Sequence, residues 1–379
     1  MTLLDDPPTT DWLTTARALV PELAAATAAH DRDGTFVQDG MDLVRDRGLL
    51  AMLVPADLGG GGATFGDACS VLTTLAHGCP ATSLTLSMHM HLIAAQVWRH
   101  HRDLPAPVLP RVAAEGLVLV STGAADWIDS SGVARKVEGG YRVTGRKMPA
   151  SGAPAGAVVV TSARWEDAPD GPQVVHMSIP FSAEGVSVEE TWDAMGMRGT
   201  GSHTVVLDDV FVPDAAVPLV RAAGEWHPVW ATVLGCALPL IMATYVGVAE
   251  AAVARVLELA ARRAERPETA PAVGRMVGQL AAAQDTLAAM VRANDDLRFD
   301  PTIENAAAAL TRKGNGAAAA IEAVRLSLEV GGGRAFAVGG GVEQLLRDVH
   351  GATYHPLPPA AQQLFTGRVA LGLDPLGGR

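Results

Sequence analysis

Three cysteines in 379 residues, Cys69, Cys79 and Cys236, are too few and wrongly spaced for a zinc knuckle or a disulfide framework. No metal site is expected, and a reducing cytoplasm is the simplest setting. Aromatic residues are also scarce, at 4% against 49% hydrophobic residues overall. The interior must therefore be built from Ala, Val and Leu, a composition that favours packed helices. No basic block occurs and the net charge is −12. Nucleic-acid binders concentrate Lys and Arg to displace counterions from phosphates, so the sequence argues against such a partner. The opening residues, MTLLDDPPTTDW, lack the positive start and apolar stretch of a secretory signal.

One long uncharged run is present, PVWATVLGCALPLIMATYVGVA, between His227 and Glu250. It contains Pro239, has no flanking Lys or Arg, and continues directly into the amphipathic AEAAVARVLELAARR. These features read as a buried core helix rather than a membrane span. The chain is longer than the roughly 250 to 300 residues at which single cores stop growing, so more than one folding unit is expected. Residues 1–115 carry a helical period, with Asp39 placed to cap the second helix. Residues 116–222 switch to short β-branched runs such as LVLVST, GAVVVTSA and HTVVLDDVFVP, divided by Gly, Pro and Asp, as in a small antiparallel barrel or sandwich. Residues 223–379 return to the helical period, broken at ERPETAP, RFDPT and GGGRAFAVGGG, as in a four-helix bundle. The fold class is α+β, mainly α.

Neither glycine-rich stretch, GGGG at 59–62 or GGGRAFAVGGG at 331–341, is a phosphate-binding loop, because the GK[ST] and GxGxxG contexts are missing. In SMHMH, His89 and His91 point to opposite sides of a helix, which suits packing or cavity lining better than metal ligation. Arg198 lies in WDAMGMRGTGSHTVVLDDVFVP, Trp192 to Pro213, among Gly, Thr and Ser residues whose backbone can approach an anionic or planar ligand. A tight hairpin and a binding loop both fit that chemistry.

This segment closely resembles the middle-domain signature of the acyl-CoA dehydrogenase superfamily, and the resemblance extends over nearly the whole chain. GLLAMLVPADLGGGGATFGD, STGAADWIDSSG, GYRVTGRKMPASGAPAG and VEQLLRD fall in register with the family's other landmarks. The resemblance implies FAD held between the β module and the last bundle, in a dimer or tetramer. Ser121 and Thr122 would then face the isoalloxazine edge, with Ser151 near its N5 region. Arg198 belongs to the cofactor-side loop. Arg263 would meet the pyrophosphate across a subunit interface, and Gly332 and Gly333 would pass close to the adenine. The sequence departs from the pattern at Gly123, Ala124 and Pro149, which leaves open a flavin that binds and leaves.

Family dehydrogenases remove an acyl α-proton with a glutamate past the RD pair. That place holds Pro356 here, preceded by His355, and the alternative glutamate of some branches maps to Ala237. An imidazole titrating near 6.5 would make His355 the substitute base. The first reading is α,β-dehydrogenation of a thioester on coenzyme A or a carrier protein, with an electron-transfer partner. The alternative is a monooxygenase that takes reduced flavin from a reductase and uses O2, which needs no such base. A third reading is a relative that keeps the fold without catalysis.

Overall fold

Five helices form the first block: α1 (Trp12–Asp33), α2 (Gln38–Asp46), α3 (Phe65–Ala76), α4 (Pro80–His100) and α5 (Val108–Glu115). The structure, a computed structural model, describes residues 11–122 and 130–377. Local sequence sets the helix ends. The Asp11 carboxylate accepts from Thr14 N at 3.0 Å to open α1, and Gly34 closes it in the left-handed conformation, φ 66°. Thr64 and Asp67 form a reciprocal capping box at the start of α3. Asp39, expected as the cap of α2, instead lies inside its first turn and accepts from Gly40 N at 2.8 Å. A carboxylate there still suits the positive end of the helix dipole.

The middle block is one eight-stranded sheet in the order β6-β7-β3-β2-β4-β5-β8, with β1 added on β4. The strands are β1 (Leu119–Ser121), β2 (Val133–Val137), β3 (Gly140–Ala150), β4 (Val158–Trp165), β5 (Gln173–Pro180), β6 (Val186–Glu189), β7 (His203–Pro213) and β8 (Leu219–Ala222). An antiparallel arrangement was expected, yet β1 and β2 both lie parallel to β4. Parallel neighbours need a long crossover, which the intervening β2–β3 hairpin provides.

The last block contains α6 (Val229–Ala261), α7 (Thr269–Asn294), α8 (Ile303–Gly331), a short turn α9 (Gly333–Phe336), α10 (Val342–Val349) and α11 (Pro359–Ala370). Helix α6 contains nearly all of the uncharged run seen in the sequence, and 89% of its most apolar window is buried inside the protein. It belongs to both hydrophobic cores. Cys236, Leu240 and Ala243 pack with the first helices and the sheet, whereas Leu238, Ile241 and Tyr245 pack within the C-terminal helices. Gly247 lets α6 cross α3 closely, since a Cβ there would lie 2.2 Å from the Thr73 carbonyl oxygen. That neighbour is backbone and cannot rotate away. Gly247→Ala should cost about 3 kcal/mol of stability, read from urea unfolding midpoints.

Candidate functional site

Helix α4 supplies the wall between the sheet and the last bundle. His89 is 1% exposed and uses both ring nitrogens on backbone: Nε2 lies 2.8 Å from the Leu50 carbonyl, and Leu119 N donates to Nδ1 at 3.0 Å. These partners fix the neutral tautomer with its proton on Nε2. His91, two residues on, faces the other way and is 2% exposed, with no partner for Nδ1. Burial lowers the pKa of each ring to about 4.

Opposite His91, the loop between α10 and α11 brings His355 onto α6. His355 Nε2 and Tyr245 Oη share a hydrogen bond of 2.8 Å, and the rings are 5.5 Å apart. Gly351 makes room, because a Cβ on it would sit 2.5 Å from that hydroxyl. Burial first, then the nearby positive charge of Lys313 and the ring of His91, hold the His355 pKa down to about 3. The expectation of an imidazole titrating near 6.5 is therefore not met. His355 is neutral at physiological pH.

The sheet edge contributes hydroxyls. Ser121, ending β1, is buried with no partner for Oγ, and Thr122 Oγ1 lies 3.1 Å from Thr161 Oγ1. Ser151 Oγ contacts Ser202 Oγ at 2.8 Å, which continues at 2.7 Å to Thr200 Oγ1. Thr85 of α4 abuts the same turn. Its Cγ2 would lie 2.9 Å from a Cβ on Gly152, and its Oγ1 is buried without a partner. Gly123 and Ala124 lie outside the described residues.

Thr85 Oγ1, His91 Nδ1 and Ser121 Oγ are thus buried polar atoms left unsatisfied by protein. Such atoms are costly unless a ligand or water completes them. Two hydroxyls and an imidazole nitrogen are donors and acceptors of the kind that a flavin's polar edge engages.

Arg198 is engaged elsewhere. Its Nε donates to the Asp31 carbonyl at 2.7 Å, and Nη1 donates to Asp193 Oδ1 and the Ala194 carbonyl at 3.0 Å each. The Asp31 carboxylate in turn takes Arg347 in a bidentate pair, 2.9 and 2.6 Å. Asp348 next to it is buried, accepts from Met197 N at 2.5 Å, and has its pKa raised to about 7 by burial. Together these residues join α1, the Arg198 turn and α10.

Arg263, Gly332 and Gly333 form a second cluster where α6 and α8 end. Arg263 Nη2 donates to the Val330 carbonyl at 2.7 Å, and Gly332 adopts φ 63° beside its guanidinium. An open groove of about 510 Å³ lies between α7 and α8, lined by Gly274, Arg275, Gly278 and Glu322 among others. No residue of either cluster borders it.

Sequence reasoning missed Tyr245, Asp348 and Lys313. Lys313 left a signal: it falls on the apolar stripe Leu310, Ala317, Ala320 and Val324 of α8, where a charge is out of place.

Comparison with known proteins completes the picture. The acyl-CoA dehydrogenase N-terminal domain matches residues 10–115, the middle domain 124–210, and the C-terminal domain 240–357. A putative acyl-CoA dehydrogenase of Bacillus subtilis is 31% identical over 64% of this chain and 63% of its own length. An amino sugar nitrososynthase of Streptomyces peucetius is 30% identical over 62% of this chain and 59% of its own. The chain therefore spans about six tenths of these curated relatives. The X-ray structure of KijD3, in complex with FMN and a dTDP-linked 3-amino-4-keto sugar, superposes with a TM-score of 0.85 at 28% identity. That superposition covers 97% of this chain and 95% of KijD3.

Proposed function

Because the chain belongs to the acyl-CoA dehydrogenase family, we propose that it is a reduced-flavin-dependent monooxygenase that places one atom of O2 on an amine nitrogen of a small-molecule substrate. The observation that carries this reading is the neutral, part-buried His355, paired with Tyr245 beside His91 where the family's base would stand.

A thioester α-proton does not leave without a positioned base. Pro356 and Ala237 hold no carboxylate, and burial together with the Lys313 charge opposes the positive His355 ring that abstracting a proton would leave. Acyl-thioester dehydrogenation, the first reading from sequence, is the weaker of the two on these grounds. Oxygen transfer to nitrogen needs no carbon acid, since the amine supplies its own lone pair. Among the described residues no carboxylate hydrogen-bonds to His91, Tyr245 or His355, and the Lys313 cation nearby opposes a second positive charge at the site. Desolvation there favours the free amine, which is the nucleophilic form. A neutral imidazole nitrogen accepts a hydrogen bond from an amine N–H and orients it.

Ser121, Thr122 and Ser151 would hold the polar edge of the ring, and Arg263 with Gly332 and Gly333 the phosphate tail of FMN or FAD. Bound in reduced form, the flavin supplies two electrons, so that amine, O2 and reduced flavin give hydroxylamine, water and oxidised flavin. A separate reductase would provide it. The same reading takes the working unit as a homo-oligomer, since Phe336 and Val338 beside the Arg263 cluster are 76% and 91% exposed. Three buried free thiols suit a reducing cytoplasm.

The test supplies purified protein with a flavin reductase, FMN or FAD, ¹⁸O2 and a panel of primary amines including amino sugars. One labelled oxygen should appear on nitrogen. Anaerobic bleaching of bound flavin by an acyl thioester, with no label in any amine, would return the reading to dehydrogenation.

A further inference from the structure

Lys313 is 1% exposed in α8, and no carboxylate among the described residues pairs with it. Its ammonium instead donates to three backbone carbonyls of one segment: His355 at 2.8 Å, Leu357 at 3.3 Å and Thr353 at 3.4 Å. Burying a cation with no paired anion is costly even when carbonyls solvate it, and a methionine of similar length would fill the space without that cost. The three carbonyls come from alternate residues and face one way. The His355 ring between them is turned to Tyr245.

We propose that Lys313 is the positioning residue of the site: its ammonium gathers the carbonyls of residues 353–357 and thereby fixes the His355 ring against Tyr245. This inference rests on the functional reading of His355 given above. The charge has a second effect. The groups acting on the ring are Lys313 from α8, His91 from α4 and Tyr245 from α6, with Asp348 of α10 acting on Tyr245. Lys313 and His91 both oppose a positive imidazole, so the lysine holds His355 in the state that accepts a hydrogen bond.

Three variants separate tethering from charge. Lys313→Met removes both, Lys313→Gln keeps donors without charge, and Lys313→Arg keeps both. The His355 imidazole is followed by NMR in protein labelled at histidine, free of flavin and amine, and assigned with His355→Asn. In Lys313→Met the His355 pKa should rise from about 3 but stay below 6.5, since burial remains, and amide exchange over 353–357 should accelerate. Lys313→Gln should raise the pKa while leaving exchange slow, and Lys313→Arg should restore both. With reductase and amine present, Lys313→Met should give about tenfold less product per reduced flavin oxidised, at a KM within about threefold of wild type.

An unchanged His355 titration in both the Met and Gln variants overturns the proposal, as does wild-type exchange over 353–357 in Lys313→Met. If Lys313→Met does not fold, the Gln and Arg variants decide through the titration alone. Because the NMR arm needs no turnover, a wild type that oxygenates no amine would sink the functional reading and leave the positioning role standing.

Discussion

Replacing His355 with alanine should cut hydroxylamine formation by about a hundredfold while reduced flavin continues to be oxidised by O2. The first figure is about what misplacing a reacting group by roughly 1 Å costs, since His355 orients the amine. The second follows from geometry, because His355 bonds to Tyr245 and through its backbone to Lys313, not to the Ser121, Thr122 and Ser151 edge. Parallel measurement of oxygen uptake and product in one vessel separates the two. Equal coupling in wild type and His355→Ala would remove His355 from the chemistry. Tyr245→Phe keeps the ring and loses only the 2.8 Å hydrogen bond, so its effect should be smaller and in the same direction.

Mild acid should destabilise the fold well before ordinary carboxylates titrate. His89 and His91 are buried neutral, with pKa values of about 4 in the folded chain against 6.5 when unfolded. A depressed histidine pKa means that the unfolded chain takes up the proton, so stability present above 6.5 is lost as pH falls toward 4. Each ring contributes roughly 3 kcal/mol to that loss as an upper figure. For His89 the cause is specific, since a proton on Nδ1 would face the Leu119 N–H that now donates to it.

Asp348 works in the opposite sense. Its pKa is raised to about 7, so its contribution is complete below 3.8 and disappears as pH rises through 7. Asp348→Asn keeps an acceptor for Met197 N and removes that opposing slope. Urea midpoints between pH 4.5 and 8 should therefore climb more steeply in Asp348→Asn than in wild type. His89→Gln should climb less steeply. Parallel curves for all three proteins would rule out this account.

The three-block architecture was legible because hydrophobic period is a local property. It switches from helical to alternating near Leu117 and back after Trp226, and the elements follow it. The parallel pairing of β1 with β4 was not legible, since register between Leu119 and Val158 depends on a distant strand. Site residues divide in the same way. Ser121, Ser151 and His355 could be named from motifs, but the proton affinity of His355 is lowered first by burial and then by Lys313 and His91, all of which depend on other helices. Arg198 shows the limit most plainly. Its loop chemistry suited a ligand, and its guanidinium is taken by Asp31, 167 residues away.

That joint has a consequence for synthesis. Asp31 leaves the ribosome long before Arg347, which lies 316 positions downstream, so the nascent first helix waits for this bidentate ion pair until the sheet and α8 have been made. A stalled or clipped product ending before Arg347 would carry an unpaired carboxylate and an undocked helix, a form that quality-control proteases should recognise.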